Sequence, residues 1–415
     1  MTKHALLSPS GFKALMLCPA KPAMERGLPD QSSEYADEGT AAHELAAMAL
    51  EDGFDATHYL GTVIDVAGNE FIVDADMADH VQVYIDLVRD ITADGDMFIE
   101  QSLPIGHITG EEGAEGTGDA VILRGNELIV IDLKFGRGVE VDAEMNPQLM
   151  LYGLGALEKF DLVGDIEHVR MVVSQPRVSR APSEFAMPAA ELVQWGMKYA
   201  GPAASKAMQI YNGVGIYHDT WQWCDPHEDA CRFCKAKSTC SALAEAVKGA
   251  LNLEFTDLTT EDAIGGEETI KASVAKFDDH ELGAKMQAIP LIEMWCKAIR
   301  ARVEKQLLDG GTVAGFKLVQ GKRGARSWTS DTEAEALMKS MRLKKEEMYD
   351  FKLISPTSAE KILKKTPKRW ARIAPFIEQR DGNPSVAPLS DKRPALELKP
   401  IDSEFEAIGG AEDLV

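Results

Sequence analysis

No stretch of the 415 residues supplies the roughly 20 consecutive apolar positions that a membrane-spanning helix needs, so no membrane partner is expected. The first twenty residues, MTKHALLSPSGFKALMLCPA, hold no uninterrupted apolar core and no small-residue cleavage site. No secretory leader is therefore expected, and a cytoplasmic location follows. Cysteine is scarce, at six residues, which excludes a disulfide-dense miniprotein and favours reduced thiols or metal ligands. Basic residues are outnumbered 67 to 44 by acidic ones, for a formal charge of −23. Taken alone, that sum argues against a polyanionic partner. What is present is ordinary for a soluble globular chain: 45% hydrophobic and 27% charged residues, which exclude collagen and wholesale disorder. The length favours two or three domains.

The charge is unevenly spread. From Cys296 to Arg372 there are 19 Lys and Arg against 9 Asp and Glu, a local excess of ten on an acidic protein. Such a segment points to a polyanion better than the global sum does, although solvated helix faces produce the same count. Upstream, helical spacing predicts helices over Ser8–Leu17, over an Ala-rich Glu38–Leu50 with Gly39 at its start, and over Ala75–Ile91, with Met77, Val81, Tyr84, Leu87, Val88 and Ile91 on one stripe. The period then changes. Met97–Leu103, Asp119–Leu123 and Leu128–Leu133 read as strands, the last two joined by the turn Arg124-Gly125-Asn126. A helix from Pro147 to about Lys159, a strand Val169–Ser174 and a helix over Ala189–Tyr211 follow. Asp279–Leu308 is the longest helical pattern, and Phe316–Gln320 reads as a short strand. The expected fold class is α/β, a mixed central sheet flanked by helices, followed by a mostly helical basic C-terminal region. The domains predicted are 1–250, closed by a cysteine cluster, a connector over 251–278, the basic helical region over 279–375, and a mobile acidic, Pro-rich tail over 376–415.

Chemistry concentrates at the strand ends. Asp119 opens one strand of the hairpin, and Asp132-Leu133-Lys134 ends its partner. Side chains alternate along a strand, so Asp132 and Lys134 face one way while Leu133 turns to the core. Two converging carboxylates repel unless a cation lies between them, and oxygen donors of this kind suit Mg²⁺ or Mn²⁺. A lysine beside them can hold or deprotonate a water, a set suited to phosphodiester hydrolysis. His43, in Gly39-Thr-Ala-Ala-His43, can complete the metal shell. Gln148 and Tyr152, four apart on the next helix, share a face above those strand ends, with a helix N-terminus that favours phosphate. Each piece has a plain alternative: an exposed strand end, a packed histidine, a capping glutamine, a core tyrosine.

Cys231-x-x-Cys234-x5-Cys240 places three thiols within ten residues. A tetrahedral site needs a fourth, and Cys18 and Cys224 are the candidates, because Cys296 sits in the long helical pattern and reads as core.

In this order, Gly-x-x-x-His, Gly-Asp, Asp-x-Lys and Gln-x-x-x-Tyr resemble the RecB-type branch of the PD-(D/E)XK nuclease superfamily. The strings GTAAHELA, GTGDAVI, VIDLKFGRG and NPQLMLYGLGA look like an uncharacterised nuclease family encoded by bacteriophages and prophages. The likeness covers Ser8 to about Glu245, with Asp132 where many members carry Glu. It implies that His43, Asp119, Asp132 and the Leu133 carbonyl hold the metal, that Lys134 activates water, and that Gln148 and Tyr152 position DNA; Glu100 is a candidate further acid. It also implies a [4Fe–4S] cluster on Cys18, Cys231, Cys234 and Cys240, stapling the two ends of the nuclease domain, with Cys224 an extra thiol; a Cys₄ zinc site is the alternative. Trp221 and Trp223 read as shielding for the cluster or as plain packing, with stacking on bases the alternative. The implied activity is a Mg²⁺- or Mn²⁺-dependent deoxyribonuclease, an exonuclease acting on DNA ends in phage recombination or replication inside a bacterial host, beside a strand-annealing protein. The basic segment would hold DNA in a salt-sensitive way. Competing readings are a catalytically silent DNA-binding scaffold of the same fold and a metal-stapled interaction module.

Overall fold

The computed structural model describes residues 5–29, 34–162, 164–213, 220–251, 278–317, 319, 339–340 and 367–373. The chain divides into two compact units, Met1–Val319 and Gln320–Val415. In the second, Pro367–Ile373 forms a helix. Nearly all of the predicted connector at 251–278, most of the basic segment and the whole tail at 376–415 lie outside the described residues.

In the first unit, the turn Pro9–Gly11 leads into α1 (Phe12–Leu17) and α2 (Lys21–Met24). Helix α3 (Glu34–Asp52) starts four residues before the predicted Glu38. Its buried Ala41, Ala42, Ala46 and Ala49 are small enough to let α4 (Ala75–Thr92) approach closely. Helix α4 begins at Asp74, whose carboxylate accepts from the Met77 N–H at 2.8 Å, and it buries the predicted stripe from Met77 to Ile91. Between α3 and α4 lies a hairpin that the sequence did not disclose, β1 (Val63–Val66) and β2 (Asn69–Ile72). Its turn is Ala67-Gly68, both at positive φ (+53° and +89°), a primed turn without the Asn-Gly or Asp-Gly signature that announces one.

The main sheet follows: β3 (Asp96–Pro104), β4 (Glu115–Arg124) and β5 (Glu127–Leu133), then α6 (Pro147–Phe160), β6 (His168–Ser174) and β7 (Ser183–Pro188). A short helix, α5 (Gly106–Thr109), bridges β3 and β4. The strand order is β3-β4-β5-β6-β7, antiparallel except for the parallel pair β5–β6 that α6 connects. Thus the chain has the expected α/β class, a mixed sheet with helices on both faces. Strand β5 is central, and its apolar run explains itself: Leu128 and Val130 enter the core beneath α6, while Ile129, Ile131 and Leu133 enter the core beneath α3 and α4. Strand β7 was missed because it is an edge strand whose residues alternate between exposed and half-buried. Strand β4 begins four residues before Asp119. Gly116 lies there because a Cβ would stand 2.6 Å from Pro9 and 3.0 Å from Tyr152.

The predicted helix over Ala189–Tyr211 is α7 (Ala189–Trp195), a π-helical turn over Gly196–Ala200, and α8 (Gly201–Gly213). Next come α9 (Glu228–Arg232), α10 (Ser241–Leu251) and α11 (Asp279–Leu308), the last opened by an Asp278–Glu281 capping box. Leu243 and Val247 of α10 pack against Leu291, Ile292 and Trp295 of α11. Phe316 makes an isolated bridge to Val313 in place of the predicted strand, two of whose residues lie outside those described. Among the described residues, no helix is long and apolar enough to cross a membrane.

Candidate metal centre

Alternation along β4 puts Val121 in the core beneath α6 and Ala120 in the core beneath α3 and α4. Continued regularly, it would return Asp119 to the α6 side. Instead Asp119 Oδ1 stands 3.2 Å from Nδ1 of His43 on α3. The partner strand breaks step at the same place. Pairing runs through Ile99↔Ala120 and resumes at Gln101↔Gly118, with Glu100 opposite Asp119 between them. Glu100 has φ +48°, a left-handed conformation that side chains other than glycine seldom adopt. Beyond it Gln101 faces α6, where its Oε1 accepts from Lys159 Nζ at 2.8 Å. This shared break in the pleat puts both carboxylates on the α3 face. The ligand atoms of His43, Glu100 and Asp119 all lie within 4.8 Å of one another, and this is the one such group of three or more His, Cys, Asp or Glu among the described residues. Backbone strain at a cluster of this kind is characteristic of functional sites.

Asp132 belongs to a second set. Only 2% exposed, it turns towards α6. Its Oδ1 accepts from Gln148 Nε2 at 3.1 Å, and Oδ2 pairs with Lys134 Nζ at 2.9 Å. Lys134 Nζ also donates to Gln148 Oε1, and Gln148 Nε2 donates to the Tyr152 hydroxyl, each at 3.1 Å. Asn146 caps α6 by accepting from the Gln148 N–H, which fixes where that glutamine starts. The two sets meet at Leu133, whose N–H donates to Asp119 Oδ2 at 2.7 Å and whose side chain lines the His43–Glu100–Asp119 pocket. So the seven residues predicted for metal and catalysis gather where the β4–β5 ladder ends, in two groups rather than one, and Glu100 joins the metal-facing group.

Burial and the crowding of charge shift the titratable groups of both sets. Burial pushes the Asp132 carboxyl up, Lys134 draws it partly back, and Asp119 adds to the rise. Burial alone would lower His43, but the charge and hydrogen bond of Asp119, helped by Asp132, outweigh it and raise the imidazole. Glu100 is exposed as a residue, yet desolvation within the pocket and the Asp119 charge push its carboxyl up to about 7.

Behind the site, Arg177 clamps α3 to the loop that follows Lys134. Its guanidinium binds both oxygens of Glu38 at 2.9 and 2.7 Å and stacks 3.8 Å from the centre of the Phe135 ring. Gln175 accepts from the Val141 N–H and donates to the carbonyls of Gly136 and Val139. The side chain of Arg177 is 6% exposed, so Arg177→Ala strands Glu38 and unties the loop. The expected loss of stability is about 3 kcal/mol, read as a lower denaturant midpoint.

Five thiols, those of Cys18, Cys224, Cys231, Cys234 and Cys240, border one pocket elsewhere in the same unit, no three of their sulfurs within 4.8 Å of one another. Cys224, an extra thiol on sequence grounds, hydrogen-bonds to both Cys18 and Cys240, and this contact moves both of those thiols towards thiolate. The Asp225 N–H points at Cys18 Sγ (3.4 Å), and the Leu243 N–H at Cys240 Sγ (3.5 Å). Around the pocket the chain's N-terminal part is tied to the region following β7 by Lys13–Asp229 at 2.9 Å and by Glu25 accepting from the Lys235 N–H. Cys296 is half-buried on α11 and lines no part of the pocket. Trp221 and Trp223 are about half exposed, at 45% and 48%.

The sequence model of the family described as "Protein of unknown function (DUF2800)" matches residues 4–394. The chain belongs to this family. It is also similar to the solved structure "Crystal structure of SSO0001", at 14% identity over 54% of this chain and 95% of that one, with a TM-score of 0.21.

The carboxyl of Glu100 gives the DUF2800 chain a signed pH dependence in the absence of divalent ions. With a folded value of about 7 against an ordinary 4.5, the folded state holds this proton longer than the unfolded chain does. Its contribution to stability is complete below pH 4.5 and is lost as pH rises to about 7. His43 and Asp132, also raised, act in the same direction. In chelator, the melting temperature should fall across this window, and Glu100→Gln should flatten that part of the curve. A profile that Glu100→Gln leaves unchanged would contradict the placement of its carboxylate.

Proposed function

We propose that the chain is a divalent-metal-dependent nuclease that hydrolyses DNA phosphodiester bonds, with an exonuclease acting on DNA ends as its form. The observation that supports this best is the pairing of a His43–Glu100–Asp119 pocket with the Asp132–Lys134–Gln148–Tyr152 network across one backbone link, Leu133 N–H to Asp119 Oδ2. One imidazole and two carboxylates are a donor set for Mg²⁺ or Mn²⁺, and Asp132, paired with Lys134, is a third carboxylate in the adjoining set. A bound ion would neutralise charge on the scissile phosphate and on the departing oxygen. Within the protein, Lys134 presents its ammonium beside Asp132 and orients the attacking water. Gln148 holds that lysine through its amide oxygen and Asp132 through its amide nitrogen, so the Asp132 carboxylate is the fixed acceptor for the proton that leaves the water. Asp119 supports the imidazole of His43 and is itself held by the Leu133 N–H.

To the thiol pocket this reading assigns a [4Fe–4S] cluster on Cys18, Cys231, Cys234 and Cys240, with Cys₄ zinc as the alternative; five cysteines line it and two N–H groups are directed at sulfur, and the sulfurs would draw together around the group, since no three lie within 4.8 Å of one another. Such a group would staple the two ends of the 1–250 domain, because Cys18 and Cys231 lie more than two hundred residues apart. DNA is the expected partner, and a phage strand-annealing protein the expected associate.

The test uses linear and circular DNA with Mg²⁺ or Mn²⁺. Cleavage of the linear form that chelator stops supports the reading. Binding without cleavage by metal-loaded protein favours a silent scaffold, and neither binding nor cleavage removes the nucleic-acid role altogether.

A further inference from the structure

Tyr84 lies on the apolar stripe of α4 and reads as ordinary core: it is 1% exposed and among the largest fully buried side chains. Its hydroxyl is not ordinary. It is buried and has no hydrogen-bond partner. The residue lines the same small pocket as His43, Glu100 and Asp119, across from the strand break that turns both carboxylates inwards. A buried hydroxyl is costly to leave unpaired, and phenylalanine would fill the same volume without that cost. At neutral pH a phenol keeps its proton and donates. The pocket that Tyr84 lines holds acceptors whose arrangement suits a cation, and divalent cations such as Mg²⁺ keep several of their waters when protein-bound.

We propose that the Tyr84 hydroxyl is a positioning group of the ion site, donating a hydrogen bond to a water coordinated to the divalent cation that His43, Glu100 and Asp119 hold. This rests on the metal-site reading above and extends it to a fourth residue, on a helix that carries no other part of the site. With an ion bound, Tyr84 would orient a coordinated water and leave the other three residues to hold the ion. Groups that orient a metal's own ligands typically change affinity by 10- to 100-fold when removed.

The experiment is calorimetric titration of full-length protein with Mn²⁺, wild type against Tyr84→Phe, alongside melting of both in chelator. The expected result is an affinity at least about tenfold weaker for Tyr84→Phe, with no loss of stability in chelator. Equal affinities would overturn the proposal while leaving the ion site standing. A wild type that binds no Mn²⁺ would bring down the ion site, and the role of Tyr84 with it. A second measurement needs no substitution of the phenol: fluorotyrosine placed at position 84 should give a ¹⁹F resonance that moves on addition of Mg²⁺, and a resonance that stays put would equally overturn the assignment.

Discussion

Lys134→Ala should abolish nearly all DNA cleavage while leaving Mn²⁺ binding almost intact, and Asp119→Ala should lose both. The difference follows from the two-group geometry. Lys134 touches Asp132 and Gln148 but none of the three residues whose donor atoms converge on the α3 face. Its removal takes away a water-orienting group, worth about 10²- to 10⁴-fold in rate. Asp119 is a member of the converging trio, supports His43 at 3.2 Å and accepts from the Leu133 N–H, so its loss dismantles the ion site and leaves that N–H without its partner. The expected fall in cleavage is about a thousandfold or more, several kcal/mol of barrier. Both are measured on linear DNA with Mg²⁺ alongside Mn²⁺ titrations. If Lys134→Ala cuts as fast as wild type, Lys134 is no part of the chemistry.

The second large effect belongs to the thiols. Cys18→Ser should release bound metal and lower the melting temperature by about 10 °C. Closing a loop of more than two hundred residues restricts the unfolded chain by about 4 kcal/mol or more, and each kcal/mol is worth roughly 2–4 °C in a unit of this size. Iron, acid-labile sulfide and zinc analyses of anaerobically purified protein, wild type and variant, report the loss directly. A metal-free wild type that melts where Cys18→Ser melts would remove the staple. Cys224→Ser makes an informative companion, because this thiol contacts both Cys18 and Cys240.

Much of this architecture was legible in the residues. The apolar run of β5, the stripe of α4 and the Asn146-Pro147 start of α6 each state their structure locally, since burial on both strand faces, 3.6-residue periodicity and capping chemistry act over a few positions. Asp132 and Lys134 were correctly placed on one side because β5 keeps its alternation to the end. Asp119 was not fully readable, because its direction depends on a break in the pleat, and that break is set by Glu100 at φ +48° on the neighbouring strand. No local pattern in MFIEQSL signals a left-handed glutamate; its reason lies in a site assembled from three elements distant in sequence. The hidden hydroxyl of Tyr84 was equally silent, since a tyrosine on an apolar stripe looks the same whether its oxygen is satisfied or not. Arg177 was invisible for the opposite reason. A lone arginine after a strand reads as solvated surface, and its partners Glu38 and Phe135 come from separate segments. The place of Cys224 between Cys18 and Cys240 likewise required the meeting of chain ends.

The central claim is that one divalent ion sits among His43, Glu100 and Asp119, and anomalous diffraction from crystals soaked in Mn²⁺ tests it most directly. The account predicts a single strong peak within about 2.5 Å of donor atoms from all three residues. A peak held instead by Asp132 without Glu100, or no peak in crystals whose dissolved protein still cuts DNA with Mn²⁺, would contradict it.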